Sequence, residues 1–291
     1  MSAVIEVHDL TKHYGRMRAV DGIGFALEEN RIHGLLGRNG AGKTTLMSLL
    51  TGQEFASSGE IRVFGQSPVE NAAVLSRTCF IKESQKYPDD FKVKHVLRSA
   101  PWFFDGWDEA FARELVEDFR LPVDRKIKKL SRGQLSAIGV IVGLASRAPL
   151  TFFDEPYLGL DAVARQLFYD RLLQDFAEHP RTVVLSTHLI DEVSSLLEHV
   201  LVIDQGRLVV DSDAEELRGA AATVIGSRQA VESFTAGREV IARSALGSRA
   251  SATLPRLDDA GRASAARHGL ELESVPLQQL VVQLTTGKAS E

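Results

Sequence analysis

Gly37, Asn39, Gly40, Ala41, Gly42, Lys43, Thr44 and Thr45 make up the stretch whose residue types and spacing speak most directly of chemistry. They satisfy the pattern G-x-x-x-x-G-K-[ST], with an apolar run from Ile32 to Leu36 before it and a helical run from Thr44 to Leu50 after it. Glycines at 37, 40 and 42 let the backbone wrap closely enough for successive N–H groups to point at phosphate oxygens, and the following helix adds the positive end of its dipole. From such a loop Lys43 reaches the outer phosphates of a nucleotide, and the Thr44 hydroxyl faces Mg²⁺. An acidic partner is expected, and Pro149 to Asp154 supplies one as an apolar strand that empties into the adjacent carboxylates Asp154 and Glu155. Ligands of parallel sheets bind at the carboxyl ends of strands. Asp154 is therefore expected to hold the metal together with Thr44, and Glu155 to polarise an attacking water. Thr182 to Ser186 is another apolar strand, followed by Thr187 and by His188, which can donate to a terminal phosphate.

These groups need a sheet to hold them. Val4 to Leu10, Phe25 to Leu27 and Arg31 to Leu36 read as strands, with Gly59 to Gly65 and Thr78 to Ile81 adding two more. The last of these delivers the polar stretch 82–85. Tyr14 either stacks on a base near the phosphate loop or is a packed surface tyrosine. From Val93 onward the apolar spacing turns helical, and the cluster Trp102, Phe103, Phe104 and Trp107 reads as packing or a docking face. Leu130-Ser131-Arg132-Gly133-Gln134 precedes another helical run, and Ser131 with Gln134 fits a capping box that needs no ligand to explain it. Cys79, the single cysteine, lies in an apolar run and reads as a buried small hydrophobe.

Composition sets the frame. The 291 residues, 44% hydrophobic and 25% charged, suit one large domain and one small one. With 34 Lys and Arg against 39 Asp and Glu, a net charge of −5, no global basic field argues for a nucleic-acid partner, and none is expected. The start lacks the pattern of a signal peptide and no apolar run approaches the ~18 residues of a membrane span, so a cytoplasmic location is expected. Val200 to Asp204 and Arg207 to Asp211 read as a hairpin about Gln205-Gly206. Beyond it, a short helix from Ala214 to Arg218 leads into strands at Ala222 to Ile225, Glu239 to Ala242, Ala250 to Leu254 and Leu270 to Val275. Helices at Gln229 to Ala236 and Leu257 to His268 separate them, in the β-α-β-β-α-β order of ferredoxin-like domains. Leu277 to Thr286 reads as a final helix.

Taken together, the phosphate loop at 37–45, the signature Leu130 to Gln134, the strand and acids at 150–155, Gly159-Leu160-Asp161 and His188 closely resemble the nucleotide-binding subunit of an ATP-binding cassette (ABC) transporter, from about Val4 to Asp211. The last segment resembles cassette subunits of bacterial exporters whose permease is a separate chain. The fold implied is α/β, a P-loop NTPase ABC cassette with a mixed sheet core, an antiparallel β part and a helical subdomain, plus a small α+β C-terminal domain. The domain boundaries expected are 1–211, with the helical part at about 93–148, and 212–291. The cofactors implied are ATP and Mg²⁺, and the partners a second ABC subunit, identical or different, and a membrane permease that holds the chain to the cytoplasmic face. Two subunits of this family meet head to tail. Ser131, Gly133 and Gln134 then act on nucleotide held by the other copy, Asp161 lines the seam, Tyr14 stacks on adenine, Glu155 is the catalytic base, and His188 is the switch histidine, with Lys43 holding the phosphates. Two positions depart from the pattern: Glu83 stands where the family has glutamine, with Gln85 two residues on, and Arg132 stands where glycine is common. Glu83 is expected to keep a metal-sensing role, since a carboxylate still accepts from a metal-bound water. The rival is a non-transport ABC-type ATPase acting on ribosomes or DNA, which a single compact acidic cassette without heptads disfavours. A scaffold that has lost catalysis is disfavoured by the intact Lys43, Asp154, Glu155 and His188.

Overall fold

The computed structural model describes residues 3–83 and 85–287; Met1, Ser2, Ser84 of the polar stretch 82–85, and residues 288–291 lie outside the described residues. Two units make up the chain, Met1–His188 with Leu196–Asp211, and Leu189–Ser195 with Ser212–Glu291.

In the first unit, β1 (Ala3–Tyr14) and β2 (Met17–Glu28) form a hairpin, after which β3 (Ile32–Leu36) runs through the glycine-rich loop into α1 (Lys43–Leu50). β4 (Ser58–Val63) returns to pair antiparallel with β1, giving a three-stranded sheet in the order β2-β1-β4. The first two strands are longer than the apolar alternation predicts. Cross-strand partners Tyr14 with Met17 and His13 with Arg18 extend the ladder through polar residues that carry no alternation of their own.

The remaining elements of this unit are α2 (Ala72–Leu75), β5 (Thr78–Ile81), the helical segment α3 (Val93–Ser99), α4 (Glu109–Asp118) and α5 (Arg132–Ala145), then β6 (Leu150–Asp154), α6 (Ala162–Glu178), β7 (Thr182–Thr187), β8 (His199–Asp204) and β9 (Arg207–Asp213). A six-stranded sheet runs in the order β5-β6-β7-β3-β8-β9, parallel from β5 to β8. Every residue of β3, β6 and β7 is buried, as strands of a parallel sheet covered on both faces must be. The α1 side chains Leu46, Met47, Leu49 and Leu50 share a core with Leu35, Leu150, Phe152, Val184 and Leu201. The architecture is the α/β class expected.

Burying β3 carries one polar cost. The His33 ring is 1% exposed, Nε2–H donates to the Glu28 carbonyl at 2.9 Å, and the ring sits 5.3 Å from His199. Burial, reinforced by the neighbouring His199 and Arg31 charges, lowers its pKa from 6.5 to about 4. The folded state therefore keeps His33 neutral while the unfolded chain protonates it. Its contribution is complete above about pH 6.5 and is lost as pH falls toward 4, on the order of 3 kcal/mol in full. Melting temperature should fall from pH 7 to pH 4.5 in the wild type and fall less steeply in His33→Gln; equal slopes would sink this assignment.

The second unit holds α7 (Ile190–Val193), α8 (Ala214–Gly219), β10 (Ala221–Ser227), α9 (Arg228–Thr235), β11 (Ala242–Leu246), β12 (Arg249–Pro255), α10 (Asp259–Arg267), β13 (Glu271–Ser274) and α11 (Leu277–Gly287). Its four-stranded sheet has the order β11-β12-β10-β13 with antiparallel neighbours throughout. Val224, Phe234, Leu254, Leu257 and Leu270 anchor its core. β11 lies at Ala242–Leu246, not at 239–242 as the sequence pattern predicts. Its register is set by the turn at Gly247-Ser248, where Gly247 takes φ +61°, and a largely exposed edge strand has no alternation to read.

Candidate nucleotide site

The loop between β3 and α1 depends on two glycines. A Cβ at Gly37 would lie 2.3 Å from the Ile203 carbonyl oxygen, and one at Gly42, with φ +110°, 2.3 Å from that of Ala19. Backbone presses on both positions, so no side chain fits. Gly42 starts α1 without any side-chain cap, which leaves the first-turn N–H groups to an anion.

The order β6-β7-β3 brings three strand ends side by side, with Asp154 opposite Ser186 and Thr187 opposite Leu36. Lys43, 6% exposed, donates to the Gly37 carbonyl at 2.8 Å and lies 3.4 Å from Glu155 Oε1. Asp154 has both oxygens engaged, Oδ2 by the Thr44 hydroxyl at 2.7 Å and Oδ1 by that of Ser186 at 2.9 Å. Glu155 adopts φ +49°, turning the chain so that the next carboxylate meets different partners. Its Oε2 is 2.8 Å from His188 Nδ1 and within hydrogen-bond reach of the Tyr157 hydroxyl.

A recess of about 690 Å³ opens over these groups, lined by Asn39 to Thr45, Glu83 and Glu155 together with Met17, Arg18, Ala19, Gln205 and Gly206. Glu83 lines this recess; Gln85, two residues on, does not, and lines an apolar groove, while both border a further cleft beside Arg132. Tyr14 is not among the lining residues. It sits at the end of β1, 42% exposed, with the Lys12 ammonium 4.9 Å from its ring centre.

Ser131, Gly133, Gln134 and Asp161 form a separate cluster, and none of them lines the recess. The capping box is present: the Gln134 N–H donates to Ser131 Oγ at 3.2 Å, and the Ser131 N–H to Gln134 Oε1 at 3.1 Å. Asp161 caps α6 by accepting from the Ala164 N–H at 2.8 Å. Arg132 is exposed. A Cβ on Gly133 would lie 2.5 Å from the Gly159 carbonyl oxygen, so the start of α5 and the loop before α6 touch through backbone.

Sequence reasoning did not single out Tyr157, Ser186, Met17 or Arg18. Tyr157 and Ser186 are close in sequence to the acids but carry no motif, and the other two reach the recess only through the β1–β2 hairpin. Cys79 is buried and burial pushes its thiol up to about 12, so no thiolate is available for chemistry.

The apolar groove, about 710 Å³, runs between β5 and the helical segment and is lined by Phe91, Trp102, Phe103 and Phe104 among others. Trp102 is 81% exposed and Phe103 68%, an uncommon display of large apolar side chains. Among the described residues no helix is long and apolar enough to cross a membrane.

Comparisons with known proteins point one way. The family model described as ABC transporter matches residues 20–158, and an AAA-domain model described as a putative AbiEii toxin of a type IV TA system matches residues 123–194 only. The chain is 31% identical over 221 residues to Nod factor export ATP-binding protein I of Ralstonia nicotianae, covering 74% of this chain and 68% of that one. It is 30% identical over 222 residues to the bacitracin transport ATP-binding protein BcrA of Bacillus licheniformis, covering 75% and 72%. With the ABC transporter ATP-binding protein YtrB of Bacillus subtilis the identity is 25% over 215 residues, 74% of each chain. A solved ATP-binding subunit of an ABC transporter superposes with TM-score 0.66 at 23% identity, covering 74% of this chain and 92% of that one. A dimeric ATP-binding cassette holding ADP and Pi gives 0.63 at 18%, covering 72% and 98%.

Proposed function

The chain belongs to the ABC transporter family, and from that premise we propose that it is the ATP-hydrolysing subunit of an exporter, pairing head to tail with a second cassette and working through a separate membrane permease. ATP binds in the recess over α1, and its hydrolysis powers transport. The observation that carries this reading is the convergence of three strand ends: Lys43, Thr44 with Asp154, and Glu155 with His188 gather beside an uncapped helix N-terminus.

Thr44 and Asp154 suit Mg²⁺, which takes one or two oxygen ligands from protein and the rest from phosphate and water, and which when bound would neutralise phosphate charge. Gly40, Gly42 and the first turn of α1 hold the phosphates by backbone N–H groups, with the Lys43 ammonium alongside. Glu155 orients the water and takes its proton. His188 donates toward the outer phosphate, and Glu83 keeps the metal-sensing position at the recess wall. Ser131, Gly133 and Gln134 close over nucleotide held by the second copy, with Asp161 at the seam; that none of the four lines the recess of their own chain supports a role in trans. Tyr14 stacks on adenine by swinging its exposed ring over the recess, a movement its position at the hairpin tip permits.

The apolar groove with Trp102 and Phe103 supports permease docking there, and the chain works at the cytoplasmic face of a membrane. The second unit has the element order and strand order of a ferredoxin-like domain and serves dimer support or regulation. ATP turnover per chain should rise with chain concentration and require Mg²⁺. No turnover at any concentration would reduce the chain to a scaffold.

A further inference from the structure

The group that knits Glu155 to the end of β7 is Tyr157, whose side chain is 1% exposed in the middle of the site. Its hydroxyl accepts from the Thr187 hydroxyl at 2.8 Å and from the His188 N–H at 3.2 Å. Both oxygen lone pairs are thereby used, and burial, with the Glu155 carboxylate next, raises the phenol far enough that it stays protonated. One proton is left to donate, and two acceptors lie within reach: Glu155 Oε2 and, at 3.2 Å, His188 Nδ1.

The same two acceptors face each other. A carboxylate accepts only, so at 2.8 Å His188 Nδ1 must carry a proton and donate it to Glu155 Oε2. In this arrangement Oε2 takes hydrogen bonds from both Tyr157 and His188, while Oε1 faces the Lys43 ammonium at 3.4 Å. Oε2 is thus engaged twice, while Oε1 has the ion pair with Lys43 but accepts no hydrogen bond. A neutral imidazole protonated at Nδ1 has no N–H at Nε2 and cannot donate from that side. Glu155 Oε2 and a neutral His188 ring are thus positioned but withheld.

We propose that Tyr157 is a positioning residue that selects between two hydrogen-bond states of the Glu155–His188 pair. With its proton on Glu155 Oε2 the pair rests. With the same hydroxyl turned to donate to His188 Nδ1, the imidazole is fixed as the Nε2–H tautomer and Glu155 Oε2 is free to accept from water. No bond is made or broken at Tyr157; its hydroxyl rotates, and the imidazole exchanges its proton from Nδ1 to Nε2 through solvent. The proposal rests on the reading of Glu155 as the base and His188 as the phosphate donor.

The test has two readouts on Tyr157→Phe, which keeps ring volume and removes only the hydroxyl. Turnover number should fall about 10-fold with the KM for ATP changed less than about twofold, the size of one lost hydrogen bond to a charged group felt in the chemical step alone. With a non-hydrolysable ATP analogue bound, ¹⁵N shifts of the His188 ring should report an Nε2-protonated ring in the wild type and move in the variant toward the Nδ1-protonated one, which the contact with Glu155 Oε2 enforces without the hydroxyl. Thr187→Val, which removes one donor to the hydroxyl and leaves the tyrosine in place, should shift the ring in the same sense by less, and it serves if the first variant does not fold. Ring shifts that match the wild type in both variants would overturn the proposal, as would a turnover number that does not change in Tyr157→Phe. If Glu155→Gln also leaves turnover intact, it is the underlying assignment of the base that fails, and the two failures are told apart.

Discussion

Glu155→Gln should lower ATP turnover about 10²–10⁴-fold, the contribution expected of a general base, while leaving ATP affinity within a few-fold of the wild type. The substitution is isosteric, so the φ +49° turn and the packing against β7 persist. What changes is the capacity to accept a proton. An amide cannot take one from water, and among the described residues the Glu155 carboxylate is the acid that lies against both Lys43 and His188. Asp154 does not substitute, because Thr44 and Ser186 hold it at the metal position, away from the Lys43–His188 side of the site. Removing a negative charge beside Lys43 also lessens repulsion of the phosphates, so affinity should hold or rise. The measurement is single-turnover hydrolysis alongside equilibrium binding of a fluorescent ATP analogue. Turnover within a few-fold of the wild type would mean that water is activated elsewhere; loss of binding would mean that Glu155 is structural.

The parts of this site that were legible in the sequence are those whose requirements are local. Gly37 and Gly42 must be glycine because the Ile203 and Ala19 carbonyls press on them, and a spacing of glycines survives as a written pattern. Apolar strands that empty into Asp154-Glu155 and into Thr187-His188 are equally local signals, as is the Ser131–Gln134 capping box. Tyr157 carries no such mark. Its role comes from the β6–β7 pairing, which sets its hydroxyl against Thr187 and His188 about thirty positions later in the chain. Glu83 was named from its spacing to Tyr87-Pro88-Asp89, again a local signal, and it lines the phosphate recess while Gln85 lines the apolar groove. β11 was misplaced because an exposed edge strand held by its hairpin shows no periodicity. Patterns in one dimension record what the backbone demands of a residue, and lose what a distant strand demands of it.

Gly133→Ala should separate the two halves of the mechanism. Alanine is the better helix former, and Gly133 lies in the first turn of α5, so helix propensity alone would make the change harmless. The added Cβ, however, would stand 2.5 Å from the Gly159 carbonyl oxygen, and a Cβ on Gly159, which takes φ +91°, would in turn stand 3.1 Å from Arg132. Neither side of that contact is a flexible side-chain end. The start of α5, or the loop that carries Asp161, must move by several tenths of an ångström. Groups acting in trans on a phosphate tolerate such displacement poorly, and turnover should fall about 10²-fold. The Lys43 recess is built from other residues, so ATP binding to the single chain should match the wild type, and so should the melting temperature to within a few degrees. Gly219→Ala, with nothing within 4 Å of the new Cβ, is the control that should change neither. If Gly133→Ala turns over ATP at the wild-type rate, this backbone contact does not position the signature. If it loses ATP binding as well, the recess and the signature cluster are one site within a single chain, and the head-to-tail assembly is not what completes it.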